Sequence, residues 1–242
     1  MRELVTDAQL LYLLEEVEKR LGPISLEIMP HERRILARCA MSFTTGKGWS
    51  LLHIPEEETS QATLCHELTH LILLIEGWPA FIIDSQLPTS DYLIQTTSML
   101  TNLVLHIDVW RIVETMGFDE IPDYAPGQED LILQVQESRL LSDALAAEVL
   151  PFRAAYLAQG LLCPSKLETR IRLRNAASRT MPKALELADA IIQVFEKHHP
   201  LSPQSSAEVL SEICALLKIH RGILIASWPD TCEQNFRDRF LP

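Results

Sequence analysis

Hydrophobic and polar residues follow one another in patterns that change along the chain. Residues 7–21 place leucines on one side of a helical projection and acids on the other, which predicts an amphipathic helix. Residues 24–28 and 35–43 alternate apolar and polar side chains with the period of two that is typical of a strand. The turn residues Thr44–Gly48 separate the second of these strands from the apolar run Trp49–Ile54, and so predict a β-hairpin.

Helices are predicted after this hairpin. The first covers residues 60–76 and ends at Gly77, and a longer one extends from about Ser90 to Met116 and ends at Gly117. Further helices, separated by prolines, are predicted over residues 129–162, 165–178, 181–198 and 205–219. The order of elements predicts an α+β fold. We expect a core of residues 1–120, with a small mixed sheet and two long helices, and a mostly helical extension of residues 121–242 packed on it.

Composition narrows the class of protein. The chain has 242 residues, of which 47% are hydrophobic and 22% charged, and this size suits one large domain or a core with an extension. The net charge of -12 argues against nucleic acid as a general partner. No apolar stretch reaches the length of a membrane span, and the N-terminal residues do not have the pattern of a signal peptide. Five scattered cysteines without Cys-x-x-Cys spacing predict free thiols and a cytoplasmic location.

The sequence His-Glu-Leu-Thr-His at residues 66–70 carries the most specific chemistry. Residues four apart on a helix lie on one face, so His66 and His70 can offer two imidazole nitrogens to one metal ion. Imidazole nitrogens suit Zn²⁺ better than they suit Mg²⁺ or Ca²⁺, which prefer oxygen. Glu67 lies beside the same face and could remove a proton from a zinc-bound water.

The surroundings of this motif support a bound cation. The second half of the motif helix is apolar on all sides, which is typical of a buried helix. Burying two histidines and a carboxylate without partners would cost several kcal/mol. A metal ion would remove much of that cost, whereas the alternative is a pair of hydrogen-bonded core histidines.

A small sheet, a His-Glu-x-x-His helix and a second long helix together resemble the zincin-like metallopeptidases, over about residues 20–117. The resemblance implies that His66 and His70 bind zinc and that Glu67 is the general base. It also implies that the strand nearest the active-site helix binds an extended peptide by edge pairing, and Trp49–Ile54 is the candidate for that strand.

The third protein ligand that catalytic zinc usually has is not part of the motif. His106 is the preferred residue, because it falls on the apolar face of the long helix, where Asn102 one turn earlier could orient its imidazole. Two acids are alternatives: Glu76, just beyond the motif helix, and Asp91, at the beginning of the long helix. Asp108 lies about 200° around the helix from His106 and is expected to face solvent.

Two classes of function agree with these observations. The first is a cytoplasmic zinc-dependent metallopeptidase, which acts on a peptide or protein substrate through a zinc-bound water and Glu67. The second is a non-catalytic interaction or sensing protein that retains a zincin-like core. An intact Glu67 favours the enzyme, because zinc binding alone does not require this carboxylate.

Overall fold

The computed structural model describes residues 1–31, 39–44, 46–55, 58–83, 91–138, 143–199, 201–219 and 223–227. Within these ranges the chain forms eight helices and five strands. In chain order they are α1 (Ala8–Leu21), β1 (Ser25–Ile28), β2 (Cys39–Thr44), β3 (Gly48–His53), α2 (Gln61–Ile75), β4 (Pro79–Ile83), α3 (Asp91–Thr115), α4 (Ile121–Glu137), α5 (Asp143–Leu162), α6 (Leu167–Thr180), α7 (Pro182–His198), α8 (Pro203–Leu216) and β5 (Ile223–Ser227). The predicted α+β class is confirmed, with helix as the main component.

The described elements belong to two units. The first unit consists of Met1–Ile75 and Val109–Asp123, and the second of Glu76–Asp108 and Tyr124–Pro242. Each unit is therefore assembled from two separate stretches of chain. No described helix is both long enough and apolar enough to span a bilayer.

In the first unit, the predicted amphipathic helix is confirmed as α1. The carboxylate of Asp7 accepts hydrogen bonds from the backbone N–H groups of Gln9 and Leu10, which caps the helix N-terminus. The apolar side of α1 is buried, and this helix packs against α2. The predicted helix 60–76 is confirmed as α2, and Ser60 caps it by accepting from the N–H of Thr63 at 3.0 Å.

The sheet of the first unit has the strand order β1-β3-β2. β1 runs parallel to β3, while β2 and β3 form the antiparallel hairpin that the sequence predicts. The part of the second predicted strand before Cys39, over residues 35–38, and the turn residue Thr45 lie outside the described residues. The assignment of Trp49–Ile54 as the peptide-binding edge is wrong, because β3 is paired on both sides and has no open edge. Among the described strands of this sheet, β1 and β2 are at its edges.

The second unit is dominated by helices. α5 packs against α7 and α6, and α7 packs against α8. The single helix predicted over residues 129–162 is wrong, because the structure has two helices there, α4 and α5, and α4 already begins at Ile121. The sequence also gave no indication of β4 and β5, which pair antiparallel and lie next to α8.

Glycines end the two long helices near the motif as predicted. Gly77 follows α2 and Gly117 follows α3, and both have a φ angle of +87°. This left-handed conformation is accessible to glycine without the steric cost that a Cβ atom brings.

The four cysteines in the described residues, Cys39, Cys65, Cys163 and Cys214, are free thiols, as predicted. Cys232 lies outside the described residues.

Two glycines inside helices of the second unit differ in the space available for a side chain. A Cβ atom at Gly160 of α5 would lie 2.3 Å from Cδ2 of Leu131 and 3.1 Å from Cδ2 of Leu173. Both leucines are buried, so neither side chain can move without disturbing its neighbours. At Gly127 of α4, a Cβ atom would meet no atom within 4 Å.

We therefore expect alanine to have opposite effects at these two positions. Gly160→Ala should lower the free energy of unfolding, since overpacking a core costs about 1–3 kcal/mol and offsets the gain of about 1 kcal/mol in helix propensity. Gly127→Ala should raise it by up to about 1 kcal/mol. Urea denaturation followed by circular dichroism measures both changes. Equal stabilisation by the two variants would contradict the close packing of α5 at Gly160.

Candidate metal centre

His66 and His70 lie on one face of α2, separated by one helical turn. The Nε2 atoms of the two imidazoles are 3.0 Å apart, and the rings meet edge to face with their centroids 4.8 Å apart. His66 is buried, with 7% of its surface exposed, while His70 is partly exposed. Two ring nitrogens therefore face the same small volume beside the helix.

This spacing fits a shared metal ion. Two nitrogens that bind one tetrahedral Zn²⁺ at its usual distance of 2.0–2.1 Å are about 3.3 Å from each other. The observed 3.0 Å differs from that value by an amount that a small rotation of either ring would remove. The motif thus brings its two histidines into the arrangement that its spacing predicts.

Both imidazoles are electrostatically suited to be ligands. Burial lowers the pKa of His66 to about 4. Burial and the adjacent ring of His66 lower the pKa of His70 as well. Both side chains are therefore neutral near pH 7, and a metal-binding imidazole must be neutral.

Glu67 lies between the histidines in sequence and faces the sheet edge. Its Oε2 atom accepts a hydrogen bond of 2.9 Å from the backbone N–H of Met41 in β2. Burial raises the pKa of Glu67 to about 7, and the bond from Met41 limits this rise. A carboxylate with a pKa close to 7 is well matched to proton transfer at neutral pH.

Glu120 is part of this centre, although the sequence analysis did not identify it. Its Oε1 atom is 2.6 Å from Nδ1 of His66, and the two residues are 54 positions apart in the chain. Burial, and then the nearby charges of Asp123 and Asp119, raise the pKa of Glu120 to about 8. No periodicity or spacing in the sequence connects Glu120 with the motif. An acid just before a helix ordinarily indicates nothing beyond a favourable position near the helix N-terminus.

His106 lies on α3 and is 9% exposed. His106 belongs to the second unit, whereas His66 and His70 belong to the first. The Nδ1 atom of His106 is 3.4 Å from the side-chain nitrogen of Gln159 in α5. Asn102, predicted to orient His106, is instead exposed to solvent.

The two acidic alternatives to His106 are exposed, whereas His106 is buried. Glu76 lies just after α2 and Asp91 at the beginning of α3, and both are exposed. The expectation that Asp108 faces solvent is wrong, because this residue is only 1% exposed. The helix is buried on several sides at this level, where Leu105 and Val109 are buried as well.

Comparisons of this chain with protein-family models, with curated proteins and with solved structures gave no match.

The paired Nε2 atoms predict stoichiometric metal binding. Protein purified without chelators should contain about one zinc per chain by elemental analysis, as expected of a mononuclear site. His66→Ala and His70→Ala should each abolish this zinc, because either change removes one of two adjacent ligands. His199→Ala is the control, since this histidine is exposed after the end of α7 and should not affect the zinc content. Full zinc in either motif variant would show that the histidine pair is not the binding site.

Proposed function

We propose that the protein is a zinc-dependent hydrolase, and more specifically a metallopeptidase that acts on peptide or protein substrates. The observation that carries the proposal is the joint position of three side chains of α2. The Nε2 atoms of His66 and His70 face each other at 3.0 Å, and the carboxylate of Glu67 between them reaches the edge of a β-sheet. A metal-binding pair, a candidate base and a possible peptide-binding strand are therefore contributed by adjacent elements of one unit.

His66 and His70 would hold the zinc ion, with His106 as the third ligand. The support for His106 is its burial on α3, together with the exposure of both acidic alternatives. The three nitrogens form a donor set that favours zinc over oxygen-seeking cations. When bound, zinc would polarise the scissile carbonyl and acidify a water molecule.

Glu67 would act as the general base and then as the general acid. Its carboxylate removes a proton from the attacking water and returns it to the leaving amine. The backbone N–H of Met41 is bonded to Oε2 of Glu67 and therefore holds this carboxylate against β2. Proton transfer is assigned to the other oxygen, Oε1.

The side of β2 that faces away from β3 is the proposed binding edge for the substrate, since β2 is an edge strand among the described strands of this sheet. The Met41 N–H bonds to Glu67, so it points away from β3 and lies on that side of the strand. An extended peptide that adds to this side of β2 would pass next to Glu67 and would bond to backbone groups other than the Met41 N–H, which Glu67 already occupies. The peptide-binding role that was expected of Trp49–Ile54 is thus proposed for the neighbouring strand β2.

The choice of third ligand predicts the result of a comparison among three variants. His106→Ala should weaken zinc affinity by more than the roughly 10–100-fold that is typical when a residue behind a ligand is lost. Asp91→Ala and Glu76→Ala should leave the affinity nearly unchanged, because both side chains are exposed. Competition with a chromophoric chelator measures all three dissociation constants. Loss of zinc from Asp91→Ala or Glu76→Ala, with retention in His106→Ala, would show that the third ligand is one of the acids.

The role of Glu67 separates an enzyme from a binding module. Glu67→Gln should retain zinc and the fold, whereas turnover should fall by at least ~100-fold, because an amide cannot remove the proton. The measurement is cleavage of a peptide library by wild type, Glu67→Gln and chelator-treated protein in parallel.

The possible outcomes of this screen are distinct. Cleavage by wild type alone would support the metallopeptidase. Equal cleavage by wild type and Glu67→Gln would rule out Glu67 as the base. No cleavage by any sample, together with tight binding of a partner that Glu67→Gln does not change, would favour the non-catalytic interaction protein.

A further inference from the structure

We infer that Glu120 is a positioning residue of the metal centre, which holds the imidazole of His66 with its Nε2 lone pair directed at the metal. The inference rests on the proposed zinc site and adds to it a residue far from the motif in sequence. The contacts that support it all lie within the first unit, between α2 and residues 120–123 at the beginning of α4.

The contact between the two side chains is short and shielded from water. Oε1 of Glu120 is 2.6 Å from Nδ1 of His66, and the exposed fractions of the two side chains are 5% and 9%. Hydrogen bonds between a charged nitrogen donor and an ionised carboxylate are typically about 2.7–2.9 Å long, and this contact lies just below that range. A buried bond of this kind restricts ring rotation far more than an exposed one, because water cannot replace either partner.

The hydrogen bond also selects between the two forms of the neutral imidazole. An ionised carboxylate can only accept, so Glu120 in its ionised form, which a cation bound at the neighbouring Nε2 would favour, keeps the ring proton on Nδ1. The lone pair is then on Nε2, which is the atom that faces Nε2 of His70 at 3.0 Å. Histidines that bind metals generally donate their other ring N–H to such a partner, which fixes both the proton position and the ring orientation.

The segment that carries Glu120 is attached to α2 at a second place. Oδ2 of Asp123 accepts hydrogen bonds from the hydroxyls of Ser60 at 2.6 Å and Thr63 at 3.0 Å, at the N-terminus of α2. These bonds hold the backbone of residues 120–123 beside the helix. The two carboxylates therefore have different roles: Asp123 holds the segment next to α2, and Glu120 contacts His66.

The experiment measures metal binding, so that no substrate is needed. Zinc affinity and the visible spectrum of the Co²⁺-substituted protein are measured for wild type, Glu120→Gln, Glu120→Leu and Asp119→Asn. Asp119→Asn is the matched control, because it removes the same charge one residue earlier, at an exposed side chain that accepts a hydrogen bond from the backbone N–H of Ile121. Thermal unfolding of the metal-free proteins reports separately on the fold.

The expected result is a graded loss. Glu120→Gln retains an acceptor oxygen and should weaken zinc binding by about 10-fold, while Glu120→Leu removes the acceptor and should weaken it by about 100-fold. The Co²⁺ absorption bands should shift in both variants. Asp119→Asn should leave the zinc affinity and the spectrum as in wild type. Unfolding temperatures of metal-free wild type and Glu120→Gln should agree, since the two side chains have the same shape.

Several results would overturn the inference. If wild type binds zinc and Glu120→Gln and Glu120→Leu match it in affinity and in Co²⁺ spectrum, Glu120 does not position His66 and the proposed function is unaffected. An equal loss in Asp119→Asn would show that local charge is responsible. If Glu120→Leu does not fold, Glu120→Gln decides alone. A wild-type protein that binds no zinc would refute the proposed function together with this inference.

Discussion

Helix α2 can be buried only because the polar side chains of its motif have partners. An unpaired polar group in such a place would cost roughly 1–3 kcal/mol, and an unpaired charge more. The pairs are His66 with Glu120, His70 with His66, Glu67 with the N–H of Met41, and Thr69 with the carbonyl of Cys65. Two of these partners come from outside the helix, from β2 and from the segment before α4. The burial of α2 therefore depends on hydrogen bonds from β2 and from the segment before α4 to the polar side chains of one helical turn.

Local patterns predicted the elements whose cause is local. α1 and the β2–β3 hairpin follow from periodicity and turn residues, which act within a few positions. The sequence pattern could not distinguish a central strand from an edge strand with the same certainty, yet Trp49–Ile54 contains a clue. Leu51 and Leu52 are consecutive apolar residues, which breaks the alternation of a strand with one exposed face, and in the structure both are buried. The pair β4 and β5 was missed because short strands that pair across a long stretch of chain leave little local signal.

The residues of the candidate metal centre likewise fall into those that local spacing predicts and those that it does not. His66, Glu67 and His70 could be identified because helical geometry alone brings residues one turn apart together. Glu120 and Gln159 contact histidines that are 54 and 53 positions away, and only the tertiary structure decides such pairs. The helical projection of α3 failed at Asp108 and Asn102, because a projection shows which residues share a side but not how many sides are covered. Two polar residues of α3 were therefore assigned to the wrong environments.

The interleaved makeup of the first unit has a consequence for the order of events during synthesis. A chain leaves the ribosome from its N-terminus, and domains generally fold in that direction. The motif helix belongs to the stretch Met1–Ile75, whereas Glu120 arrives with Val109–Asp123, after β4 and most of α3 have been made. A nascent chain that ends before Glu120 holds both motif histidines but lacks the carboxylate of the buried pair. The buried pair can therefore form only after this second stretch has emerged and packed against α2.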